Sequence, residues 1–480
     1  MLRQLLSIYS PKFPATIVYM LQSCEYHPGP YFKWLWRTKD FSLVAHRRHL
    51  DKTAYAKMLL AGLSLGIAIE ILIGLGLVVY GINAAQIWLS FYGGALVVIY
   101  PLVWSHLVVV PLELGRLYIV EPRNQRQIDA AKPLFADHPG ARIAVAGSYG
   151  KTTMKEVLNT VLSQGLGVAA TKANLNVLIE HAKFARSLNG QEDALIIEYG
   201  EGAPGDIAKF YDLTKPTYAV ITGLAPAHLD RYKTMQAAGE DIFSLADLLH
   251  HKNVYVNQES QAAIKFIKPS DQTYGIFGAA DWKAKNIRIS LDGIAFDLVK
   301  GKKTINLKSR LLGRHQVGVL SVAAVIGLAL GLSEEQIQAG IAHTAPFEHR
   351  MQPYNLGGAW IIDDTYNGNI EGIKAGTELL GELKTAKRKI YVTPGLVEQG
   401  SETARVHELM GEYIAKSNPD VVVLMNNSTT RYIQKGLTRS GYAKELVLEN
   451  DPLKFYANLE QFVAKGDLVL MQNDWPDNYA

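Results

Sequence analysis

The chain has almost no cysteine, little net charge, and no internal repeat or low-complexity tract. Cys24 is the only cysteine among 480 residues, so no internal disulfide can form, which fits a reducing compartment. A net charge of +4 is too small to favour nucleic acid as a partner. No short apolar core precedes a small-residue cleavage site, so we predict no cleaved signal peptide. The length predicts about two to four domains.

The central feature of the sequence is an apolar strand that runs into a glycine-bracketed turn and then a helix. Ala144-Val145-Ala146 is followed by Gly147-Ser148-Tyr149-Gly150 and then by Lys151-Thr152-Thr153. This order presents backbone N–H groups and a helix N-terminus to a phosphate. We expect Lys151 to reach the outer phosphates of a nucleotide and the Thr152 hydroxyl to bind Mg²⁺. An ordinary strand-to-helix turn is the alternative, because Val145 replaces the first glycine of the general G-x-x-x-x-G-K-[ST] pattern.

The first 116 residues carry membrane signals. Residues 1–54 mix aromatic and basic side chains, as in Tyr31–Arg37 and His46-Arg47-Arg48, which predicts a segment lying on a membrane surface. Two apolar runs follow within residues 55–116. They are Met58–Ile82, with Glu70 as its one charge, and Ile87–Leu112, which carries no charge.

Each run is long enough to cross roughly 30 Å of hydrocarbon as a helix. The link Asn83–Gln86 is uncharged, whereas basic residues precede the first run and follow the second. Because basic residues stay on the cytoplasmic side, we predict a hairpin in the cell membrane with both ends inside. Two buried core helices are the alternative.

Two polar residues interrupt the predicted hairpin, and both have two interpretations. Glu70 and His106 are functional candidates because ionisable groups inside a membrane are costly. A plain hydrogen bond between the helices explains them equally well. Gly62 and Gly66 have the small-x-x-x-small spacing that lets helices approach closely, although chance also produces such pairs.

The rest of the chain alternates short apolar strands with helices. Residues 117–345 contain the predicted strands Ile143–Ala146, Ala194–Glu198 and Tyr218–Thr222, a β-rich stretch and a helix over Gln316–Leu332. Residues 346–480 repeat the alternation on a smaller scale, with the predicted strands Trp360–Asp363, Lys389–Thr393 and Val421–Met425. This pattern predicts α/β architecture with parallel sheets, a central P-loop ATPase domain and a Rossmann-like C-terminal domain.

The shorter phosphate-loop pattern, Gly147 with two residues before Gly150-Lys151-Thr152, resembles that of the Mur ligases. Thr171–Asn176 resembles the family's Thr-x-Gly-Asn-x-Asn loop, which implies substrate contacts from Asn174 and Asn176. Glu198-Tyr199-Gly200 resembles its acidic strand end, where a carboxylate opposite the phosphate loop binds Mg²⁺. The resemblance implies ATP contacts at Gly147, Ser148, Tyr149, Gly150, Lys151, Thr152 and Thr153.

Two more blocks of the central domain extend the resemblance. Ala227-His228-Leu229-Asp230 resembles the block whose histidine helps to hold a second metal ion, so His228 is a metal and catalytic candidate. Gly313-Arg314-His315-Gln316 resembles the Gly-Arg-His-Asn turn beside the nucleotide, with Gln316 in place of asparagine. Without this series of blocks, a lone histidine is more often structural. Gln316 keeps the amide group but is longer than asparagine, so the reach of its implied ATP contact differs.

The C-terminal domain adds an arginine and two substrate loops. Phe347-Glu348-His349-Arg350 places Arg350 to face the γ-phosphate, where a planar guanidinium suits developing charge. Asp363–Asn369 and Thr393–Gly400 resemble signatures of the family member that joins D-alanyl-D-alanine to a nucleotide-linked muramyl tripeptide. The implied roles are an ATP contact for Asp364 and substrate contacts for Asn367, Asn369 and Glu398.

The resemblance implies an ATP- and Mg²⁺-dependent amide ligase of cell-wall synthesis. A carboxylate on a muramyl peptide would take the γ-phosphoryl group to give an acyl phosphate, and the amine of an amino acid or dipeptide would displace phosphate. Lys151, His228 and Arg350 are the predicted catalytic residues. The alternatives are a related ligase that modifies a lipid-linked precursor or elongates a polyamide, and a membrane-tethered ATPase without ligase activity.

Three departures from the family pattern qualify these implications. The N-terminal domain that grips the uridine nucleotide has no counterpart, which motivates the hypothesis of a lipid-linked acceptor. The family's carbamylated lysine is missing, since Ile242 stands at the counted position; Glu240 or Asp241 supplies a metal-binding carboxylate, or the two are a solvated acidic pair. The end of the chain, Gln472–Asn478, lacks the expected Lys-Gly-Ser.

Overall fold

A computed structural model describes residues 7–24, 26–38, 41, 50–172, 175–226, 229–366, 368–397 and 399–473. The chain divides into two compact units, Met1–Arg126 and Gln127–Ala480. Four residues of the predicted sites lie outside the described residues: Asn174, His228, Asn367 and Glu398.

The first unit is helical. A 3₁₀ turn at Ser7–Tyr9 precedes two short helices and two long ones, and the predicted link over residues 83–86 is the turn between the long ones. The side chain of Thr53 caps the first long helix by accepting a hydrogen bond from the Ala56 N–H at 3.1 Å. The helices are α1 (Phe13–Ser23), α2 (Pro28–Arg37), α3 (Ala54–Asn83), α4 (Ile87–Leu107) and α5 (Val109–Gly115), followed by a π-helical turn at Arg116–Val120 and by α6 (Glu121–Ala136), which enters the second unit.

Two helical stretches are long and apolar enough to cross a membrane, judged by length and composition. They are Ala54–Asn83 and the continuous stretch Ile87–Ala136. Within their most apolar windows only 17% and 28% of residues are buried. Apolar side chains on these helices therefore face outward, which disfavours the alternative of two core helices.

The two long helices approach at glycines other than the predicted pair. A Cβ on Gly74 would lie 2.8 Å from the Gly93 carbonyl oxygen, and one on Gly93 would lie 2.4 Å from that of Gly74. Among the described residues, nothing lies within 4 Å of a Cβ on Gly62, which favours the chance interpretation of that glycine, whereas a Cβ on Gly66 would meet the Trp104 ring of α4. The backbone contact needs glycine on both helices, and the sequence spacing within one helix does not reveal that.

The polar residues of the first unit form hydrogen bonds within it. Glu70 Oε2 accepts a hydrogen bond from Trp104 Nε1 at 2.6 Å, and this bond joins α3 to α4. His106 Nε2 accepts one from Trp36 Nε1 at 3.3 Å. These contacts favour the interpretation of Glu70 and His106 as interhelical hydrogen-bonding groups.

Helices α1 and α2 pack their apolar faces on the long helices. Ile17, Leu21 and Tyr31 are fully buried, in one cluster with residues of α3 and α5. The Tyr31 hydroxyl donates to the Ser105 carbonyl oxygen at 2.8 Å. Protein therefore covers the apolar faces of α1 and α2, whereas Trp36 is 72% exposed.

The second unit begins with a large mixed sheet, ordered β10-β9-β8-β7-β6-β5-β4-β1-β3-β2 among the described residues. Pairing is parallel from β2 to β6 and antiparallel from β6 to β10. Its strands are β1 (Ala141–Ala146), β2 (Val168–Ala170), β3 (Ala194–Glu198), β4 (Tyr218–Ile221), β5 (Val254–Asn257), β6 (Gln272–Gly275), β7 (Gly278–Ala279), β8 (Trp282–Ser290), β9 (Gly293–Lys300) and β10 (Lys303–Ser309).

Helices cover both faces of this sheet, as the alternating pattern predicted. One face packs on the helices that follow β1 and β10, and the other packs on those that follow β2, β3 and β4. The helices are α7 (Lys151–Leu162), α8 (Leu178–Ser187), α9 (Asp206–Thr214), α10 (Leu229–Tyr232), α11 (Met235–Leu248), α12 (Gln316–Ala329) and α13 (Glu334–His343), with a 3₁₀ turn at Ile264–Phe266.

The smaller second sheet of this unit has the order β11-β12-β16-β13-β14-β15 among the described residues. All its pairings are parallel except that of β11 with β12. Its strands are β11 (Gln352–Leu356), β12 (Ala359–Asp364), β13 (Arg388–Thr393), β14 (Val421–Met425), β15 (Glu445–Glu449) and β16 (Asp467–Gln472). Its helices are α14 (Ile370–Glu382), α15 (Thr403–Ser417), α16 (Thr430–Arg439), α17 (Pro452–Ala457) and α18 (Leu459–Phe462), with a 3₁₀ turn at Gly400–Glu402.

Candidate active site at the phosphate loop

The turn between β1 and α7 has the backbone geometry of a phosphate-binding loop. Gly147 and Gly150 have φ angles of +135° and +74°, a region that favours glycine. A Cβ on Gly147 would lie 2.4 Å from Thr222 Oγ1, so the loop also needs glycine for space. The Ser148 N–H donates to the Gly223 carbonyl oxygen at 2.9 Å, which fixes the loop on the end of β4.

Glu198, at the end of β3, faces the first turn of α7. Its Oε1 accepts a hydrogen bond from the Thr152 hydroxyl at 3.1 Å. Its Oε2 accepts no hydrogen bond among the described residues and forms an ion pair with Lys155 Nζ at 3.3 Å. Glu198 is 2% exposed, and Lys155 is fully buried. The structure thus joins two residues that the sequence predicted to share a metal ion, Thr152 and Glu198.

A second carboxylate, which sequence reasoning missed, holds the phosphate-loop lysine. Lys151 Nζ lies 2.8 Å from Glu201 Oε2 and 3.1 Å from Glu201 Oε1, and it also donates to the Gly147 carbonyl oxygen at 2.5 Å. The Glu201 side chain is 3% exposed and that of Lys151 is 13% exposed. The available signal was a carboxylate three residues beyond Glu198, on the same loop after β3.

One of the predicted substrate contacts lies beside these carboxylates. The Gly200 N–H donates to the Asn176 carbonyl oxygen at 3.0 Å. A Cβ on Gly200 would lie 2.5 Å from that oxygen and 2.9 Å from Asn176 Oδ1, so the two loops pack closely at this glycine. Asn176 is thereby brought next to the Glu198–Glu201 segment.

A cavity of about 450 Å³ lies where the phosphate loop faces the second sheet. Tyr149, Gly150 and Thr153 line it on one side, and Arg350 and Asp364 line it on the other. Both groups of predicted ATP contacts therefore open onto one space. Burial raises the pKa of the Tyr149 hydroxyl well above its ordinary value.

Gln316, at the start of α12, also lines this cavity. Its Nε2 lies 3.0 Å from the Nε2 of His315. Burial lowers the pKa of His315 to about 4, so its imidazole is neutral at pH 7 and its Nε2 accepts the amide proton. The Gln316 Oε1 is buried and has no hydrogen-bond partner among the described residues. A buried acceptor without a donor fits a ligand group.

Arg350 lies on a short loop that two aspartates of β12 hold. The His349 Nδ1–H donates to Asp363 Oδ2 at 2.8 Å, and the Met351 N–H donates to Asp364 Oδ1 at 3.2 Å. The guanidinium of Arg350 stacks on the Tyr366 ring, 4.6 Å from its centre. The loop thus presents Arg350 to the cavity.

Asp364 has an unusual environment for a carboxylate. Burial raises its pKa to about 7, although a hydrogen bond from Gln472, one from the Met351 N–H and the charge of Arg350 all act to lower it. Asn369, a predicted substrate contact, lines the cavity and caps α14, where its Oδ1 accepts from the N–H groups of Glu371 and Gly372, both at 3.0 Å.

The two acidic candidates on α11 have other partners. Glu240 is exposed, and its Oε1 accepts a hydrogen bond from Gln236 at 2.8 Å. Asp241 Oδ1 accepts from the Gly205 N–H at 2.7 Å, and its Oδ2 accepts from the Tyr232 hydroxyl at 2.8 Å. These contacts favour a solvated Glu240 and a structural Asp241. Within the described residues, no three His, Cys, Asp or Glu side chains group as a ready metal site.

The fold and the loop geometry define a phosphate-loop nucleotide-binding protein with two α/β domains. Residues 145–327 match the family model "Mur ligase middle domain", and residues 349–472 match "Mur ligase, glutamate ligase domain". The two models together match more than half of the chain, which therefore belongs to the Mur ligase family. The first unit, Met1–Arg126, lies outside both matches.

Curated relatives are identical to this chain at about a quarter of the aligned positions. A UDP-N-acetylmuramoyl-tripeptide–D-alanyl-D-alanine ligase of Escherichia coli is 28% identical over 59% of this chain and 64% of its own length. The same enzyme of Synechocystis is 28% identical over 69% of this chain and 71% of its own length. The chain thus covers less than two thirds of the Escherichia coli relative.

Solved structures share the fold. MurF from Acinetobacter baumannii superposes with a TM-score of 0.64 at 21% identity, over 73% of this chain and 77% of that one. MurF from Thermotoga maritima, in complex with ADP, gives a TM-score of 0.63 at 22% identity, over 73% and 80%. At these identities the likeness establishes the fold.

Proposed function

We propose that this protein is an ATP-dependent amide ligase of peptidoglycan precursor synthesis, similar in reaction to MurF. A carboxylate of a muramyl peptide would be phosphorylated by ATP, and a dipeptide amine would then displace phosphate from the acyl phosphate. The observation that supports the proposal is that Tyr149, Gly150 and Thr153, at the phosphate loop and the start of α7, line the same cavity as Arg350. The named activity of the matched relatives supports the choice of substrates.

The residues around the cavity fit ATP. Positive φ angles at Gly147 and Gly150 leave backbone N–H groups of the loop directed at a phosphate. The unpartnered Gln316 Oε1 is an acceptor for an exocyclic amine of a base, because neutral His315 holds the other end of the amide. Arg350 would stabilise the γ-phosphoryl group as it transfers.

The pair of Thr152 and Glu198 fits Mg²⁺. A hydroxyl and a carboxylate are the oxygen ligands that Mg²⁺ takes beside nucleotide phosphates, with water completing the shell. Glu198 Oε2 is buried, accepts no hydrogen bond among the described residues and faces the Lys155 ammonium at 3.3 Å, which supports a carboxylate position that attracts cations. Bound there, Mg²⁺ would neutralise phosphate charge. His228 is proposed as a further ligand from its sequence block alone, as are Asn174, Asn367 and Glu398 for the substrates.

We further propose that α3 and α4 form a membrane hairpin and that the two α/β domains work on the cytoplasmic face. The length and exposed apolar surface of these helices support this placement. Basic residues on the flanks of the hairpin support the orientation. Because this unit stands outside the family matches, a lipid-linked muramyl peptide is the second candidate for the acceptor.

The test is phosphate release by the full chain, purified in detergent, with ATP, Mg²⁺, a muramyl tripeptide acceptor and D-alanyl-D-alanine. We expect release only when both substrates are present, together with a product whose mass is that of the joined peptide. Steady release without either substrate would instead identify an ATPase. Lys151→Ala is the matched inactive control, and its helical content checks that it is folded.

Comparing the two acceptors decides the membrane proposal. Nucleotide-linked and lipid-linked tripeptides are supplied at equal concentration to the full chain. Preference for the lipid-linked acceptor by the full chain is the expected result for a membrane enzyme. Equal turnover of the two would contradict the lipid-linked hypothesis while leaving the ligase activity in place.

A further inference from the structure

Two lysines of α7 each pair with a carboxylate near the end of β3, one on the last residue of the strand and one on the loop that follows it. Lys151 pairs with Glu201, and Lys155 pairs with Glu198. The side chains of both carboxylates are 3% exposed. Lys155 Nζ also lies 3.4 Å from Glu156 Oε1, so both ammonium groups have carboxylate partners within the protein.

All the donors of Lys151 are used in this arrangement. An ammonium has three N–H donors. Nζ lies within hydrogen-bond distance of three oxygens, which are the Gly147 carbonyl and the two carboxylate oxygens of Glu201. A phosphate oxygen can therefore bind Lys151 only by replacing one of these three contacts, two of which are to Glu201.

We propose that Glu201 is a latch on the phosphate loop, which holds the Lys151 ammonium in the nucleotide-free protein and is displaced by the nucleotide phosphates. The latch deepens the proposed function, because it sets the affinity of the same site for ATP. Glu201 is a positioning residue: it acts on nucleotide binding through Lys151.

Two features favour displacement of Glu201 from Lys151 by a phosphate: the charge of the carboxylate and the backbone on either side of Glu201. A carboxylate in contact with Lys151 repels the phosphate that needs the same ammonium. Glu201 stands between Gly200 and Gly202, and a Cβ on Gly202 would meet no atom closer than 3.5 Å. The segment thus has space on its far side when Glu201 leaves Lys151.

The latch weakens the apparent affinity for nucleotide by the fraction of molecules in which it is open. A latch closed in about 90% of molecules makes ATP bind about tenfold more weakly than the open site allows. Variants that cannot close the latch should therefore bind nucleotide more tightly.

The experiment is calorimetric titration of the full chain in detergent with ATP, without acceptor and in EDTA so that no metal bridges the carboxylates. We expect Glu201→Gln to tighten ATP binding about tenfold. Glu201→Asp keeps the charge but withdraws the carboxylate by one methylene, and it should also tighten binding. Glu156→Gln, on α7 but paired with Lys155, is the matched control and should leave the affinity unchanged.

A double-mutant cycle tests the path through Lys151. In a Lys151→Ala background, adding Glu201→Gln should no longer tighten ATP binding. Equal tightening in that background would mean general charge repulsion, and it would overturn the latch. Unchanged or weaker binding by Glu201→Gln in the wild-type background would overturn it too.

The outcome is separable from that of the proposed function. Thermal unfolding and helical content of each variant establish that it is folded. A ligase that turns over both substrates but shows no gain in affinity on Glu201→Gln keeps the proposed function and loses the latch. A chain that binds ATP more tightly on Glu201→Gln but joins no substrates keeps the latch and loses the ligase.

Discussion

Gln472 donates a hydrogen bond from Nε2 to Asp364 Oδ2 at 2.8 Å, so a neutral amide, and no lysine, meets this carboxylate at the end of β16. The same Nε2 donates to the Gly372 carbonyl oxygen at 2.9 Å. Burial is the largest influence on Asp364 and raises its pKa to about 7, against the lowering effects of the Gln472 hydrogen bond and of the Arg350 charge.

The raised pKa predicts that Asp364 makes the protein less stable as the pH rises. The folded state holds the proton up to about pH 7, whereas the unfolded chain releases it near the ordinary value of 3.8. The contribution is fully present below 3.8 and is lost as the pH rises through about 7. We expect the unfolding temperature of the wild type to fall more between pH 5.5 and 8.5 than that of Asp364→Asn, and parallel profiles would contradict this.

Replacing Gln472 by lysine should reverse the effect. The ammonium would favour the charged carboxylate and lower the pKa of Asp364. Gln472→Lys should therefore reduce the loss of unfolding temperature between pH 5.5 and 8.5, while Gln472→Met, without a charge, should not.

Glu198→Gln should raise the Mg²⁺ concentration needed for half-maximal phosphate release by about tenfold or more. The amide keeps the shape beside Thr152 but removes the charge that a divalent cation needs. The measurement is a Mg²⁺ titration at saturating ATP. Glu156→Gln, which changes the other carboxylate beside Lys155, serves as the control, and equal Mg²⁺ requirements for wild type and Glu198→Gln would show that Glu198 is not a ligand.

Gln316→Leu should weaken ADP binding about three- to tenfold, the range for losing one hydrogen bond to a base. It should weaken GDP binding less, which reduces discrimination between the two. Gln316→Asn keeps the amide and should retain part of the preference for ADP. Unaltered selectivity in the leucine variant would place the base elsewhere.

Asp241→Ala should lower stability by about 1 kcal/mol, because it removes the acceptor for the Gly205 N–H ahead of α9 and for the Tyr232 hydroxyl. Glu240→Ala should leave stability unchanged, since its carboxylate is exposed. Chemical unfolding measures both. The Mg²⁺ requirement of both variants should match the wild type, and a higher requirement would return these residues to the metal site.

The sequence was most informative where a strand is buried on both faces. Ala194–Glu198 and Val421–Met425 have the predicted bounds, because each is a continuous apolar run that ends at a polar residue. The strand β15 was missed, since its side chains are mostly exposed and its sequence, Glu445–Glu449, begins and ends with charge. The edge strand β11 contains Pro353, which obscures strand periodicity.

Contacts between distant segments explain what the sequence left out of the site. Glu201 and Lys151 are 50 residues apart, and no local pattern announces an ion pair between them. Gly74 and Gly93 likewise belong to different helices. Glycine spacing within one helix pointed to Gly62, whereas the backbone contact depends on how two helices cross.

Gly200 has a consequence for how this site can change. Because Gly200 has no side chain, the carbonyl oxygen of Asn176 lies against it, so the loop of this predicted substrate contact and the segment that carries Glu198 meet along one tight seam. Even alanine at position 200 would push the seam apart and displace both segments together. Substitutions of side chains around the seam can therefore change which substrate is bound. The seam itself requires glycine at position 200.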